Sequence, residues 1–365
     1  MSSAITSKPK IDLIDHLRSH PFVLAPMAGI TDTSFRSMMR QLKCGVVITE
    51  LVSCHGIEFR SEKTLQLMKF SKDQHPIGIQ LFGETPEGLA KAAHVVEEMG
   101  ADFVDLNFGC PVPKVVKKGA GSAILKDLVQ VGKVFKAVKA ATNLPVTVKI
   151  RTGWDHESRN ADQVAQIAYD EGLSWVAIHG RTRAAAYSGQ ADWDYIADVK
   201  AKSSIPIIGN GDIHSAQQAI QRLQESGCDA VMIGRGCLKN PWIFQEAMQL
   251  WHEVNGSVAG GRPKAEFSSK GLQEEMAIRD YPELFLALKT AFEANTNEKI
   301  TLLQLKKFAS WYSSGYSGAS TFRKTIFQTQ SLDLVMDMTV EFFGDLRTIV
   351  QADTSQEPFL MGGHG

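Results

Sequence analysis

The stretch ADFVDLNFGCPVPK, residues 101–114, joins a short apolar run to a loop that carries a cysteine. Residues 103–106 predict a buried β-strand. Gly109 and Pro111 flank Cys110 and restrict its backbone, since glycine adopts conformations that other residues avoid and proline fixes its own φ. A cysteine in a loop is commonly a small buried hydrophobe. The alternative is a thiol presented for chemistry at a strand end, and the rest of the chain decides between the two.

The same unit, an apolar run followed by a polar loop and an amphipathic segment, recurs between Pro21 and His252. Eight apolar runs fit it: FVLAPM from Phe22, VVITEL from Val46, IGIQLF from Ile77, FVDLN from Phe103, VTVKI from Val146, WVAIHG from Trp175, IPIIGNG from Ile205 and AVMIGR from Ala230. Strands that are apolar on both faces and alternate with helices predict a parallel sheet covered by helices. Eight of them predict a (β/α)8 TIM barrel of the α/β class.

An open doubly wound sheet is the structural alternative. It would carry a glycine-rich dinucleotide fingerprint after its first strand. The segment AGITDTSF stands there instead. The closed barrel is therefore the favoured architecture.

Changes in composition divide the chain into five parts. They are an N-terminal extension (1–20), the barrel (21–252), a linker rich in Gly, Ser and Lys (253–280), a helical region (281–350) and a disordered tail (351–365). Apolar residues at spacings of three and four predict about four helices in the helical region.

Composition excludes several classes of protein. The five cysteines are widely spaced and form no CxxC pair, which argues against a disulfide framework or a structural zinc site and favours a reducing compartment. The N-terminus does not have the pattern of a secretory signal, and no apolar run is long enough to cross a membrane. These features predict a cytoplasmic protein. The net charge of -1 means that any nucleic-acid interface must be a local patch.

Polar residues cluster where the predicted strands end, which is where a TIM barrel places its chemistry. This set comprises Pro26, Met27, Glu50, Gln80, Asn107, Cys110, Lys149, Arg151, His179, Arg181, Arg183, Asn210, Asp212, Gly234 and Arg235. Lys149, Gln80 and His179 offer groups suited to the carbonyls and ring nitrogens of a flat heterocycle. Alternatively, Lys149 pairs with a carboxylate inside the barrel. Glu50 is either a base or a bridge between strands.

Two glycine-rich turns at the predicted ends of strands seven and eight, GNGDI and GRG, are typical of the phosphate site of a barrel. Arg235 would supply the counter-charge. There is no defensible Ser-His-Asp arrangement, HExxH motif or cluster of His and Cys, so hydrolase and metal chemistry are disfavoured and no metal is predicted.

Seven motifs follow one another at the predicted strand ends: APMAGITDTSFR, QLFG, DLNFGCPVPKVVKKGAGSAIL, VTVKIRTGW, IHGRTR, IIGNGDI and MIGRG. Together they resemble the bacterial tRNA-dihydrouridine synthases. The resemblance runs from about Phe22 to Phe244 and continues more loosely through KKFASWY and FRKT. VTVKIRTGW and the segment after His179 are most similar to the B-type branch.

The resemblance implies a mechanism and a set of binding residues. Flavin mononucleotide (FMN) takes a hydride from NADPH or NADH and passes it to C6 of a uracil in tRNA. Cys110 then protonates C5, and Asn107 helps to orient the uracil. The positions that match the flavin site are Pro26, Met27, Ala28, Gln80, Lys149, His179, Asn210, Gly211, Asp212, Gly234 and Arg235.

A local basic run supplies the nucleic-acid signal that the net charge lacks. From Lys299 to Lys324 there are five cations and no acidic residue, interleaved with aromatic residues. Lys306, Lys307 and Arg323 are the predicted tRNA contacts in this run. Arg151, Arg181 and Arg183, with Lys117 and Lys118, would extend the contact towards Cys110. The alternative is a solvated basic face over an aromatic core.

The favoured function is a tRNA uridine reductase, expected to be a monomer without a protein partner. Two other functions remain as alternatives. One is a flavin-dependent barrel dehydrogenase acting on a free pyrimidine, of the dihydroorotate or dihydropyrimidine type. The other is an RNA-binding protein whose barrel has lost catalysis. The helical region with its basic run argues against the first, and the intact set of strand-end residues argues against the second.

Overall fold

A computed structural model describes residues 11–258 and 279–344. Within these ranges the strands are β1 (Phe22–Leu24), β2 (Val47–Ile48), β3 (Val52–Ser53), β4 (Ile77–Phe82), β5 (Phe103–Phe108), β6 (Val146–Arg151), β7 (Trp175–His179), β8 (Ile207–Asn210) and β9 (Ala230–Ile233). Every strand pair is parallel.

The strands close into a barrel. Their order is β1-β9-β8-β7-β6-β5-β4-β2, and β3 also pairs with β4. The ring closes between β1 and β2, where the Leu24 amide donates to the Val46 carbonyl at 2.9 Å and the Gly45 amide donates to the Phe22 carbonyl at 2.9 Å. Eight strand positions therefore surround the axis, and the predicted TIM barrel is confirmed.

The second predicted strand is interrupted, because β2 and β3 both pair with β4. Between them, the Thr49 hydroxyl accepts a hydrogen bond from the backbone N–H of Gln80 at 3.0 Å and donates to the backbone carbonyl of Glu50 at 2.9 Å. A side chain thus takes the place of a regular ladder bond at this point.

The helices within the described ranges are α1 (Leu13–Ser19), α2 (Thr33–Gln41), α3 (Cys54–Glu58), α4 (Glu62–Leu67), α5 (Pro86–Glu98), α6 (Pro113–Val116), α7 (Leu128–Ala141), α8 (Ala161–Asp170), α9 (Trp193–Lys202), α10 (Ala216–Ser226), α11 (Ile243–Val258), α12 (Tyr281–Asn295), α13 (Glu298–Tyr312), α14 (Ala319–Gln328) and α15 (Leu332–Gly344). The sequence accounts for the start of α5: the Thr85 side chain accepts from the Gly88 amide, and Pro86 occupies the first turn.

One end of the barrel interior is apolar. Helix α1, in the predicted N-terminal extension, contributes Leu13 and Leu17 to a buried cluster with residues of β1, β5, β7, β8 and β9. Phe103 and Trp175 fill its centre, with their ring centroids 5.0 Å apart. Gly78 is required beside them, because a Cβ there would lie 2.2 Å from the Phe103 ring. Two and four residues beyond Phe103, the same face of β5 carries Asp105 and Asn107.

The described residues fall into two compact units. All nine strands belong to the first, and helices α2 and α12–α15 belong to the second. The four helices α12–α15 match the predicted number. The predicted linker lies mostly outside the described residues, and the predicted tail lies wholly outside them. None of the described helices is both long and apolar enough to cross a membrane.

Aromatic side chains form the core of the second unit. Phe308 stacks on Phe35 of α2 at 5.2 Å and on Phe292 of α12 at 5.9 Å. Tyr281 stacks on Phe343 at 4.2 Å. The aromatics of the basic run, Phe308, Trp311, Tyr312, Tyr316 and Phe322, are all buried. They therefore stabilise the helices rather than present stacking surfaces to a ligand.

Candidate active site

Strand register brings the polar residues together at one end of the barrel. Gln80 of β4 stands opposite Asp105 of β5, and Asp105 stands opposite Thr147 of β6. Two residues further on, Asn107 stands opposite Lys149. Side chains two apart along a strand share a face, so these five residues form two successive layers inside the barrel.

A chain of hydrogen bonds runs across the first of these layers. The Thr147 hydroxyl donates to Asp105 Oδ1 at 2.6 Å, and Gln80 Nε2 donates to Asp105 Oδ2 at 2.6 Å. Asn107 Nδ2 then donates to Gln80 Oε1 at 2.8 Å. A carboxylate only accepts hydrogen bonds, so Asp105 fixes which way the Gln80 amide points, and Gln80 in turn fixes Asn107.

The chain ends on the loop of Cys110. Asn107 Oδ1 accepts from the Cys110 amide at 2.9 Å and from the Gly109 amide at 3.3 Å. From the other side, the Ser122 hydroxyl and amide donate to the Cys110 carbonyl at 2.9 and 3.1 Å. The backbone of Cys110 is therefore held at both its N–H and its C=O.

Cys110 differs from the other four cysteines, which are buried, in being partly exposed. Desolvation raises the pKa of its thiol, and this effect outweighs a backbone hydrogen bond and the nearby cations Arg151 and Lys149, which lower it. The thiol therefore keeps its proton at neutral pH. An accessible thiol that carries its proton can act as an acid.

Lys149 and Asp105 are both perturbed by burial. Desolvation lowers the pKa of Lys149 to about 8, with Arg151 adding to the effect and Asp105 opposing it. Desolvation raises the pKa of Asp105 to about 6, against the hydrogen bonds from Thr147 and Gln80. Lys149 forms no close ion pair with a described carboxylate, but the Asp105 charge acts on it and raises its pKa. The alternative of a lysine paired inside the barrel is therefore retained only as a longer-range interaction with Asp105.

Arg151, one of the predicted substrate contacts, is 2% exposed and bonded to the backbone. Its Nε donates to the Gly109 carbonyl at 2.9 Å, and its Nη1 donates to the carbonyls of Thr182 at 2.8 Å and Ala186 at 2.6 Å. Arg151 thereby joins the Cys110 loop to the loop that follows β7.

Arg181, another predicted substrate contact, is also engaged internally. It forms a bidentate pair with Asp212 at 2.9 and 2.8 Å, and its Nη1 lies 3.4 Å from His179 Nε2. Asp212, a predicted flavin residue, also accepts from the Ala191 amide at 2.7 Å. These contacts hold His179 and the turn after β8 in fixed positions. Arg183 lies over the Trp154 ring, with 4.4 Å between its Cζ and the ring centroid.

The remaining predicted residues of the first unit also lie at strand ends. Pro26 and Met27 are partly exposed and Ala28 is exposed, in the turn after β1. The Glu50 carboxylate accepts from the Gly29 amide in this turn, which is the bridging role rather than that of a free base. Asn210 Nδ2 donates to the Met232 carbonyl at 2.8 Å, and Gly211 has a φ of +134°.

Tyr187 is an aromatic residue at the strand ends that the sequence reasoning missed. It is 49% exposed, and its ring lies 6.5 Å from that of His179 and 5.6 Å from Arg151 Cζ. Tyr187 is the first aromatic residue after His179 in the sequence. This position, in the loop after a predicted strand, could have identified it as a candidate site residue.

Five predicted residues belong to the second unit. Gly234 and Arg235 are partly exposed at the start of a short 3-10 helix (Arg235–Leu238). Lys306 is 6% exposed, and its ammonium binds the carbonyls of Thr329 and Phe327 at the end of α14. Lys307 and Arg323 are partly exposed.

Metal chemistry finds no support in the part of the chain that is described. No group of three or more His, Cys, Asp and Glu side chains within residues 11–258 and 279–344 is placed to hold a metal ion.

Known proteins similar to this chain point to one family. The family model described as dihydrouridine synthase matches residues 23–342. A probable tRNA-dihydrouridine synthase of Rickettsia bellii is 36% identical over 327 residues, which is 89% of this chain and 95% of the relative. The tRNA-dihydrouridine synthase B of Vibrio cholerae is 36% identical over 324 residues, 89% of this chain and 96% of the relative.

One solved structure with a similar fold is a more distant protein. Histamine dehydrogenase from Rhizobium sp. 4-9 aligns with a TM-score of 0.47 at 14% identity, over 74% of this chain and 49% of that one, which is too weak to support an argument. The family match instead covers both the barrel with its Cys110 loop and the C-terminal helices. The chain belongs to the dihydrouridine synthase family.

Proposed function

We propose that this protein reduces the C5–C6 double bond of uridine in tRNA to dihydrouridine, using FMN and a nicotinamide reductant such as NADPH. The observation that carries the proposal is the fixed, protonated thiol of Cys110 above a polar layer that ends in Asn107. Family membership and the names of the relatives support tRNA as the substrate.

The residues inside the barrel fit a flavin. Gln80 uses one donor hydrogen on Asp105 and one lone pair for Asn107, so its amide keeps a second donor and a second acceptor. Lys149 adds a cation that forms no close ion pair with a described carboxylate. Amide groups and a cation are suited to the carbonyls and ring nitrogens of an isoalloxazine. When bound, the flavin would supply hydride transfer from the nicotinamide to C6 of the uracil.

Other flavin residues are proposed from the sequence and their positions. Pro26, Met27, Ala28, His179, Asn210, Gly211 and Asp212 lie at the ends or in the turns of β1, β7 and β8. Asp212 would act through Arg181, which it holds beside His179. Gly234 and Arg235 remain proposed for the phosphate because of the GRG motif.

Cys110 supplies the proton of the reaction. Its S–H bond breaks as a C–H bond forms at C5, while C6 gains the hydride, so the uracil gains two electrons and two hydrogens. The thiolate that remains lies near Lys149 and Arg151, whose charges stabilise it until a solvent proton restores the thiol. Asn107 fixes the direction from which the thiol approaches.

The helical region is proposed to bind tRNA through Lys307 and Arg323, with Lys324 beside them. Arg323 and Lys324 lie on α14, where Lys324 is exposed. Lys306 is bonded to backbone carbonyls, so its effect on binding would be indirect. Arg151 and Arg181 would likewise act by holding loops.

One experiment tests both the chemistry and the site. The purified protein should carry FMN and convert uridine to dihydrouridine in tRNA isolated from cells that lack it, measured by mass spectrometry of digested tRNA. Cys110→Ala should keep the FMN and lower the rate by about a hundredfold or more, because it removes the acid. Cys110→Ser is the matched control that keeps a weaker acid.

Two results would reject the proposal: a protein without FMN, or a Cys110→Ala variant with wild-type activity. Turnover of free uracil or dihydroorotate without tRNA would favour the free-pyrimidine alternative.

A further inference from the structure

The loop that follows Cys110 carries lysines that form no ion pairs with described residues. The segment from Cys110 to Lys126 contains Lys114, Lys117, Lys118 and Lys126 and no Asp or Glu. All four lysines are exposed, and none forms an ion pair with a described residue. A run of like charges without counter-charges is open to an anionic partner.

Lys126 shares an aromatic ring with Arg183. Lys126 Nζ lies 4.7 Å and Arg183 Cζ lies 4.4 Å from the centroid of Trp154, which is partly exposed. Arg183 also forms no ion pair with a described residue, and its buried Nε has no hydrogen-bond partner there. One indole thus carries two positive side chains, which makes this place favourable for an anion.

These three residues come from three loops that are bonded to Cys110 or to its loop. Lys126 ends the 3-10 helix (Gly121–Lys126) whose Ser122 binds the Cys110 carbonyl. The backbone of Trp154 accepts from the Ala184 amide at 2.9 Å, next to Arg183. Arg151 joins that loop to Gly109. The loops that carry these cations are therefore tied to the loop of the reacting thiol.

The other cations near these loops are already neutralised or bonded. Arg181 pairs with Asp212, and Arg159 pairs with Asp192 at 2.9 Å. Among the acidic neighbours, Asp155 accepts from the Ser158 amide and hydroxyl, and Asp127 caps α7 through the Gln130 amide. Glu157 is exposed. Lys126 and Arg183 thus remain available to an external anion.

We propose that Lys126 and Arg183, which both lie against the ring of Trp154, bind the phosphate backbone of the substrate RNA close to the target nucleotide. The exposed lysines Lys114, Lys117 and Lys118 continue this basic surface along the same loop. The inference rests on the proposed function, since it assigns the contact to RNA that is held for the chemistry of Cys110. Phosphate is the ligand that exposed, unpaired lysine and arginine side chains recognise in RNA.

The test measures binding of unmodified tRNA at several salt concentrations. Lys126→Ala and Arg183→Ala should each weaken binding about tenfold, the effect of one charge-assisted hydrogen bond. Each should also make the salt dependence of log K shallower by about one unit, because one fewer counterion is released. Lys136→Ala is the matched control: it removes an exposed lysine on α7 and should change neither value.

A second variant guards against misfolding. Trp154→Phe keeps an aromatic ring for the two cations and should retain most of the affinity, whereas Trp154→Leu should lose it. Thermal melting checks that both variants are folded.

The outcomes separate this inference from the proposed function. Wild-type protein that forms no dihydrouridine rejects the function. Active wild-type protein, together with Lys126→Ala and Arg183→Ala variants that keep the wild-type affinity and salt slope, rejects the phosphate contact alone. A loss equal to that of Lys136→Ala would also reject it, because the effect would then be one of net charge.

Discussion

Asp105 is a positioning residue at the far end of the hydrogen-bond chain. It is fully buried and does not touch the Cys110 loop, yet it accepts from Gln80, whose amide orients Asn107. Because an acceptor-only group sits at the origin of the chain, the orientation of two amides follows from one carboxylate. The orientation of Asn107, which holds Cys110, is therefore set by a carboxylate on the same strand, β5, that acts through Gln80 of the neighbouring strand β4.

Replacing Asp105 should separate orientation from binding. Asp105→Leu removes the acceptor for Gln80 and lets both amides turn, so kcat for dihydrouridine formation should fall about a hundredfold, as expected for a small displacement of a reacting group. Asp105→Asn keeps one oxygen for Gln80 and should retain most of the rate. KM for tRNA should change little in either variant.

Steady-state kinetics and FMN content check this prediction. Two outcomes would mean that the carboxylate does not act by orienting Gln80. One is an Asp105→Leu variant in which KM changes and kcat does not. The other is an Asp105→Asn variant whose kcat is as low as that of Asp105→Leu.

As the pH rises, the reaction rate should respond to the deprotonation of Lys149 at a lower pH than to that of Cys110. The pKa of Lys149 is lowered to about 8, so the lysine is charged below this pH and loses its charge above it. The pKa of Cys110 is raised, so the thiol remains protonated over the same range. If the Lys149 charge is needed, the rate should fall as the pH rises through about 8.

Lys149→Arg tests the assignment, because a guanidinium keeps its proton to higher pH than an ammonium. The alkaline limb of the rate should move upward in this variant. An unchanged limb would assign the titration to another group.

At the scale of elements, the loop between β5 and α7 depends on one glycine. Gly121 has a φ of +60°, and a Cβ there would lie 2.8 Å from the Cys110 carbonyl oxygen. Gly119 has a φ of +84° with open space around it. The two glycines share the backbone requirement but differ in what a side chain would meet.

This pair gives a controlled test of how the loop presents the thiol. Both Gly121→Ala and Gly119→Ala should destabilise the fold by about 1 kcal/mol, because alanine is strained at positive φ. Only Gly121→Ala should also lower the rate of dihydrouridine formation, by tenfold or more beyond the Gly119 variant, since it displaces Cys110. Equal rates in the two variants would show that the thiol tolerates movement of the loop. Melting temperatures and single-turnover rates provide the measurements.

At the scale of the whole molecule, the basic run of the helical unit had two interpretations, a surface that contacts RNA or a solvated basic face over an aromatic core. The aromatic residues are core, as the alternative in the sequence held, whereas Arg323 is partly exposed and Lys324 is exposed. Lys306 contributes to the fold by binding carbonyls at the end of α14.

These roles can be told apart. Arg323→Ala with Lys324→Ala should weaken tRNA binding and lower its salt slope by up to about two units, without a change in melting temperature. Lys306→Met should lower the melting temperature, because it removes the hydrogen bonds to the Phe327 and Thr329 carbonyls at the end of α14. A double variant with wild-type tRNA affinity would remove this helix from the proposed interface.

The sequence by itself determined the barrel, because strand and helix signals are local: eight apolar runs repeat along the chain, and period and turn residues are read from neighbours. It also selected Cys110, Asn107, Gln80 and Lys149, since a barrel gathers its strand ends at one place. Tertiary structure decided what each polar side chain does. Arg151, Arg181 and Lys306 look like surface cations in the sequence but are bonded to carbonyls or to Asp212. Thr182, Asp212 and Phe327 lie 31, 31 and 21 residues from these cations along the chain, and only folding brings such groups within hydrogen-bond distance. The same holds for Trp154, which meets Lys126 and Arg183 only where three loops converge.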